Sequence, residues 1–135
     1  MTVIIDAITL SAFLLEEGES GKIRELLIQG VCATDLVVTE SCNSLLTALR
    51  RRRINEKEAR NALEVLLSFV DTNIKILPQD SSLLREAYEQ ARENGSSIYD
   101  SVYIVLAKRL NGSLASRDPK QIEFAKKSGV KVIDV

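Results

Sequence analysis

The sequence predicts an α/β fold. Residues 1–135 form one domain, with a mostly parallel, twisted sheet of about five strands and helices on both faces. Three observations lead there. Short apolar runs alternate with segments of helical period, the pattern of strand–helix–strand units. A length of 135 residues accommodates one core and not two. Hydrophobic residues make up 45% and charged residues 27%, which supports a packed interior beneath a solvated surface.

Val3-Ile4-Ile5 reads as a buried first strand, and the segment after it carries Leu10, Phe13 and Leu14 on a helical face. A helix from Ser20 to Gln29 is closed by Gly30, and Val31-Cys32-Ala33 forms the second strand. The next helix runs from Val38 to Arg52, with Val38, Cys42, Leu45, Leu46 and Leu49 on its apolar face. Asn55-x-x-Glu58 has the spacing of a capping box. It opens a helix whose apolar positions are Ala59, Ala62, Leu63, Leu66, Leu67 and Val70. Ile74 to Leu77 is a third strand, stopped by Pro78, and a helix from Ser81 to Glu93 ends before Gly95. Ser97 caps a helix reaching Leu110 that is apolar nearly all round and so belongs in the middle of the fold. Gly112 ends it, and Ser113-Leu114-Ala115 is a fourth strand. Asp118 followed by Pro119 starts a last helix, Gly129 terminates it, and Val130 to Val135 supplies the final strand. Periodicity leaves the strand order open.

The chain contains no histidine. That excludes Ser-His-Asp and Cys-His nucleophile systems, histidine acid–base catalysis and imidazole metal sites. With 18 Lys and Arg against 19 Asp and Glu, the net charge is −1, so a polyanion must be held by local patches. Cys32 and Cys42 are too far apart for a CxxC pair and fall on apolar stretches, which assigns them to the core. No run approaches the ~18 apolar residues of a membrane span, and Asp6 interrupts the first apolar run before it resembles a leader. The expectation is a cytoplasmic protein without a membrane partner.

Open α/β sheets bind ligands outside the carboxyl ends of their strands. Asp6 follows the first strand, Glu40 stands at the opening of the helix after the second, and Asp118 follows the fourth. Asp100 lies in the first turn of the central apolar helix. Each acid also suits a local role. Asp6 and Asp118 are N-caps, Ser97-x-x-Asp100 resembles a capping box, and Glu40 complements a helix dipole. Capping does not explain why Asp6 and Asp100 sit in such apolar surroundings. Two carboxylates at ~4 Å repel by ~4 kcal/mol at an effective dielectric of 20, more than the ~1 kcal/mol of a cap. Four that converge must hold protons or a cation. An all-oxygen set suits Mg²⁺ or Mn²⁺, which activate water and stabilise attacking and leaving oxygens in phosphodiester hydrolysis. Glu40, Asn43, Ser44 and Thr47 form a polar stripe beside these acids. Arg50 and Arg51 begin the densest basic run, and Arg117 and Lys120 flank Asp118 as candidate phosphate contacts.

The segments Val3-Ile4-Ile5-Asp6-Ala7, Val38-Thr39-Glu40-Ser41-Cys42-Asn43, Ser97-Ile98-Tyr99-Asp100-Ser101 and Leu114-Ala115-Ser116-Arg117-Asp118 occur in the order of a PIN domain. The chain resembles the small prokaryotic PIN proteins of the VapC toxin type over nearly its whole length. The resemblance implies a metal-dependent endoribonuclease binding Mg²⁺ or Mn²⁺, an RNA substrate, a small antitoxin protein as partner, and a homodimer or higher homo-oligomer. It also implies that Asp6, Glu40, Asp100 and Asp118 are the catalytic, metal-binding acids, supported by Asn43 and Ser116. Ile8 departs from the pattern, standing where the family often has a small polar residue. The alternative is a catalytically inactive PIN-like module that binds RNA or protein.

Other α/β classes fit less well. A phosphoaspartyl phosphatase wants a second Asp where Ile8 stands, and a receiver domain wants a phosphoacceptor Asp where Leu77-Pro78-Gln79 follows the third strand. No glycine-rich phosphate loop exists.

Overall fold

The computed structural model describes residues 1–135. Five strands form one sheet: β1 (Val3–Ile5), β2 (Val31–Thr34), β3 (Ile74–Leu77), β4 (Ser113–Ser116) and β5 (Lys131–Asp134). Their order is β3-β2-β1-β4-β5, and every neighbouring pair is parallel. The chain leaves the central β1, steps outward through β2 to β3, then returns across the sheet to β4 and β5. The direction of winding thus reverses between β1 and β4. The crevice outside the carboxyl ends of these two strands is the topological switch point, where such sheets bind ligands.

Seven helices connect the strands: α1 (Ala7–Leu14), α2 (Gly21–Gln29), α3 (Asp35–Arg50), α4 (Glu56–Thr72), α5 (Ser81–Asn94), α6 (Ile98–Arg109) and α7 (Pro119–Lys127). The first four pack on one another, while α6 packs on α5, α7, β1 and β4. Right-handed crossovers require this division, because the two directions of winding put their helices on opposite faces. Ile4, Ile5, Leu10, Leu27, Ile104 and Leu114 are among the fully buried side chains that join the layers. Each contributes roughly 1.5–3 kcal/mol relative to exposure. Ser101 to Ala107 of α6 are all buried, as an all-round apolar helix demands. At the start of β4, a Cβ on Gly112 would stand 2.8 Å from the Thr2 carbonyl oxygen, so only glycine admits β4 beside β1 there.

The structure corrects the reading of α3. The helix starts at Asp35 and not near Val38, with Thr34 at its N-cap. Its buried face is Val37, Ser41, Leu45 and Ala48, while Leu46 is exposed. Of the predicted apolar positions, Leu45 is buried and Val38 and Cys42 pack partly buried against the core, so Leu46 is the exception, and Ser41 and Ala48 widen the face toward α1. Glu40 accordingly sits in the second turn, where no dipole argument applies. No helix is long and apolar enough to cross a membrane.

Candidate metal centre

Asp6 leaves β1 at the switch point and opens α1. Its Oδ1 accepts the Thr9 N–H at 2.9 Å, and its Oδ2 accepts the Ser116 hydroxyl at 2.5 Å. Ser116 closes β4 and accepts the Asp118 N–H at 3.1 Å, so one hydroxyl ties the first and last acids together. Asp118 caps α7 through the Lys120 N–H, with Pro119 at the first helical position. The Thr9 hydroxyl accepts the Arg117 N–H at 2.9 Å, a second link between α1 and the exit of β4. Burial pushes the Asp6 carboxyl up; its hydrogen bonds from Ser116 and Thr9 pull the other way, and the Asp118 charge adds to the rise.

Glu40 and Asp100 complete the group from α3 and α6. Burial raises the Glu40 carboxyl first, followed by the charges of Asp100 and Asp6. Its Oε1 is buried and has no hydrogen-bond partner. Asp100 is raised by burial, held back by the Ser97 hydroxyl, raised again by Asp118 and lowered by Lys120. Four acids from four elements therefore stand at one edge of the sheet, and Asp6, Glu40 and Asp100 are each raised by the charge of at least one other. No three of them converge closely enough to ligate a single ion directly.

The donor set fits a hard, hydrated cation. Mg²⁺ retains several waters and is held by one or two carboxylates, so the remaining acids act through water and need not touch the ion. A buried carboxylate oxygen without a donor, beside two further carboxylates, carries an electrostatic cost that such a cation removes. Two open cavities of about 330 Å³ each flank the acids. One is lined by Ile8, Thr39, Glu40, Asn43 and Ser44. The other is lined by Ser96, Ser97, Asp100, Lys120 and Lys127. The polar stripe of α3 thus borders the acids through Glu40, Asn43 and Ser44. Ile8, 57% exposed, puts an apolar wall where a small polar residue was expected.

The basic residues occupy different surroundings. Lys120 is exposed and near enough to Asp100 to lower its carboxyl, but Arg117 is engaged elsewhere. Its guanidinium donates to the main-chain carbonyls of Glu17, Glu19 and Val135, closing the α1–α2 loop and the C-terminal end onto β4. Those three bonds use three of the five guanidinium N–H donors, so Arg117 also clamps the chain and keeps two donors free. Arg50 and Arg51 are exposed at the end of α3, about 15 Å along its axis from Glu40 at 1.5 Å per residue.

Sequence reasoning missed three residues. The Tyr103 hydroxyl accepts the Ala7 N–H at 3.3 Å, and burial with the charges of Glu40, Asp6 and Asp100 pushes its phenol far up. Its signal was the i, i+3 spacing from Asp100, which puts both on one face of α6. Thr9 is the N3 residue to the Asp6 cap. Gln121, buried on α7, donates to the Asp100 main-chain carbonyl at 3.1 Å. An amide on a core-facing stripe with Phe124 and Ala125 was the visible anomaly.

A parallel, doubly wound sheet with an acid-lined switch crevice and no histidine defines the class of this α/β domain. The PIN domain model matches residues 3–127, and the chain belongs to the PIN domain family. Within it the chain is of the VapC type: it is 30% identical over 127 residues to ribonuclease VapC3 of Pyrobaculum aerophilum, covering 91% of this chain and 94% of that protein. Among solved structures, PAE2754 from Pyrobaculum aerophilum superposes with a TM-score of 0.74 at 23% identity, covering 98% of this chain and 90% of the other. A toxin–antitoxin complex from Klebsiella pneumoniae gives a TM-score of 0.61 at 16% identity, over 98% and 97%.

Proposed function

We propose that this protein is an Mg²⁺- or Mn²⁺-dependent endoribonuclease, the toxin of a toxin–antitoxin pair. Its substrate is RNA, a small antitoxin protein is its partner, and it acts in the cytoplasm as a homodimer or higher homo-oligomer. The family supplies the reaction class. The observation that carries the reading for this chain is the raised carboxyls of Asp6, Glu40 and Asp100, each facing another of the four acids, with one Glu40 oxygen left without a donor.

The chemistry a bound ion would supply is polarisation of a phosphoryl oxygen and activation of a water. Asp6 and Asp100 would be the direct ligands, and Asp118 and Glu40 would complete the site through water. Ser116 fixes the Asp6 carboxylate by its hydrogen bond to Oδ2. Glu40, with a raised carboxyl and a free Oε1, is equipped to take a proton from the attacking water. Asn43 lines the cavity beside it, and Lys120 meets the phosphate next to Asp100. Arg50 and Arg51 hold the RNA backbone farther out.

Incubating the purified protein with RNA and Mn²⁺ tests this. Cleavage is expected, and excess EDTA or the Asp6→Asn substitution is expected to abolish it with the fold intact. Full activity in EDTA sinks the mechanism. The open arrangement of the acids favours a second reading, a PIN module that binds RNA or protein without cutting. Millimolar Mn²⁺ that leaves the melting temperature unchanged supports that alternative, because a ligand of the native state must raise it.

A further inference from the structure

We infer that Tyr103 and Gln121 are positioning residues, two buried hydrogen-bonding side chains that hold the Asp100 turn of α6 at its spacing from Asp6 on one side and from Asp118 on the other. This rests on the metal-site reading above and adds the residues that set its geometry.

Asp6 and Asp118 are already joined through the Ser116 hydroxyl. Asp100 belongs to a different element, and apolar packing alone fixes α6 in the core without fixing the height of one carboxylate to a fraction of an ångström. Such precision requires buried polar partners. Tyr103 supplies one of them. Its hydroxyl, one turn below Asp100, accepts the N–H of Ala7, the residue next to Asp6 and 96 positions away in sequence. Ala7 opens α1, where a backbone N–H has no partner within the helix, so the contact satisfies a donor that would otherwise be orphaned. Gln121 supplies the second. It lies one turn after Asp118, and its Nε2 donates to the Asp100 carbonyl oxygen at 3.1 Å.

The Gln121 side chain shows what the arrangement costs. It is 1% exposed, and its Oε1 is buried without a partner. A buried, unpaired carbonyl is unfavourable, and a leucine of similar volume would remove it. Stability therefore argues against an amide here. The bond to the Asp100 turn is what the amide provides and leucine would not, which is how a functional position differs from a packing one.

The test uses the full chain with Tyr103→Phe and Gln121→Leu, titrated with Mn²⁺ by calorimetry and melted without metal. Each variant is expected to bind Mn²⁺ about tenfold more weakly, the usual scale for losing a partner of a metal ligand. Gln121→Leu is expected to melt at or above the wild-type temperature, a combination that a purely structural residue does not produce. With RNA, kcat falls while KM stays unchanged. Variants that fold and bind Mn²⁺ within about twofold of wild type overturn the inference and leave the functional reading standing. A wild-type protein that binds no Mn²⁺ overturns both. Should Tyr103→Phe fail to fold, Gln121→Leu carries the test alone.

Discussion

Two helices of this protein open on the same four-residue pattern and use it differently. Helix α4 begins after Asn55 with Glu58 three residues on, and α6 begins after Ser97 with Asp100 three residues on. In both, the cap side chain accepts the backbone N–H of the third residue, at 2.8 Å from Glu58 and 3.1 Å from Asp100. At α4 the bond is returned, because Glu58 Oε1 accepts the Asn55 N–H at 3.0 Å and closes the box. At α6 no return bond to the cap backbone forms. The shorter Asp100 side chain instead stands half-buried where Asp118 raises it and Lys120 lowers it. One box spends its carboxylate on the helix end and the other leaves it at the switch crevice. What separates the two boxes is that the Asp100 carboxylate makes no bond to its cap backbone and faces other acids, at an electrostatic cost.

The largest effect comes from exchanging each acid for its amide. Asp100→Asn is expected to lower RNA cleavage about a thousandfold or more, since a metal contribution of several kcal/mol converts at 1.36 kcal/mol per decade. Its melting temperature without metal should not fall, because the change removes a half-buried charge that faces other carboxylates. Glu58→Gln reverses the outcome, with cleavage unchanged and a slightly lower melting temperature. RNA gels and thermal melts of the two proteins decide it. Equal cleavage rates would reduce the difference between the boxes to side-chain length.

That contrast also shows what was legible beforehand. The apolar runs and glycine or proline stops fixed the strand and helix positions, because burial and backbone geometry are local properties of the chain. Asp6, Asp100 and Asp118 were legible as residues at element junctions, whereas Glu40 lies in the second turn of α3, away from the helix start where the sequence suggested it. Whether Ser97-x-x-Asp100 would close on itself like Asn55-x-x-Glu58 was not, since that depends on what approaches Asp100 from β4, α3 and α7. Arg117 illustrates the same limit. Its place beside Asp118 pointed to phosphate, and nothing in the sequence signalled that carbonyls from the α1–α2 loop and Val135 take three of its five donors. The part of the α3 face that was not foreseen has a different origin: Ser41 and Ala48 are buried by helix contact, and small residues leave no hydrophobic signal.

Varying the pH sharpens the comparison by a smaller amount. The Asp6, Glu40 and Asp100 carboxyls are all raised in the folded protein, chiefly by burial. The native state then keeps protons that the unfolded chain has released, so stability falls as pH rises from the ordinary carboxylate range, about 4, through the raised values. Without metal, the melting temperature of Asp100→Asn is expected to gain on wild type over that interval. Saturating Mn²⁺ should cancel the gain, and its stabilising effect should grow with pH as protons stop competing for the acids. Scanning fluorimetry across pH 4 to 8 measures this, and a wild-type curve parallel to that of Asp100→Asn refutes the electrostatic account.

The caps themselves differ least, and that makes them the finest probe. Asn55→Ala and Ser97→Ala each remove one hydrogen bond to a third-residue N–H and should cost about 1 kcal/mol, a drop of about 4 °C in melting temperature. Removing Asn55 ends there, because its box serves only the helix. Removing Ser97 also takes away the hydroxyl that holds the Asp100 carboxyl down, so that carboxyl rises further and competes less well for a cation near neutral pH. Mn²⁺ titration should therefore separate two substitutions that melting alone does not distinguish: Ser97→Ala binds the ion several-fold more weakly than Asn55→Ala. Equal affinities would mean that the Ser97 hydroxyl serves α6 alone, and that the open box owes its character entirely to the acids facing it.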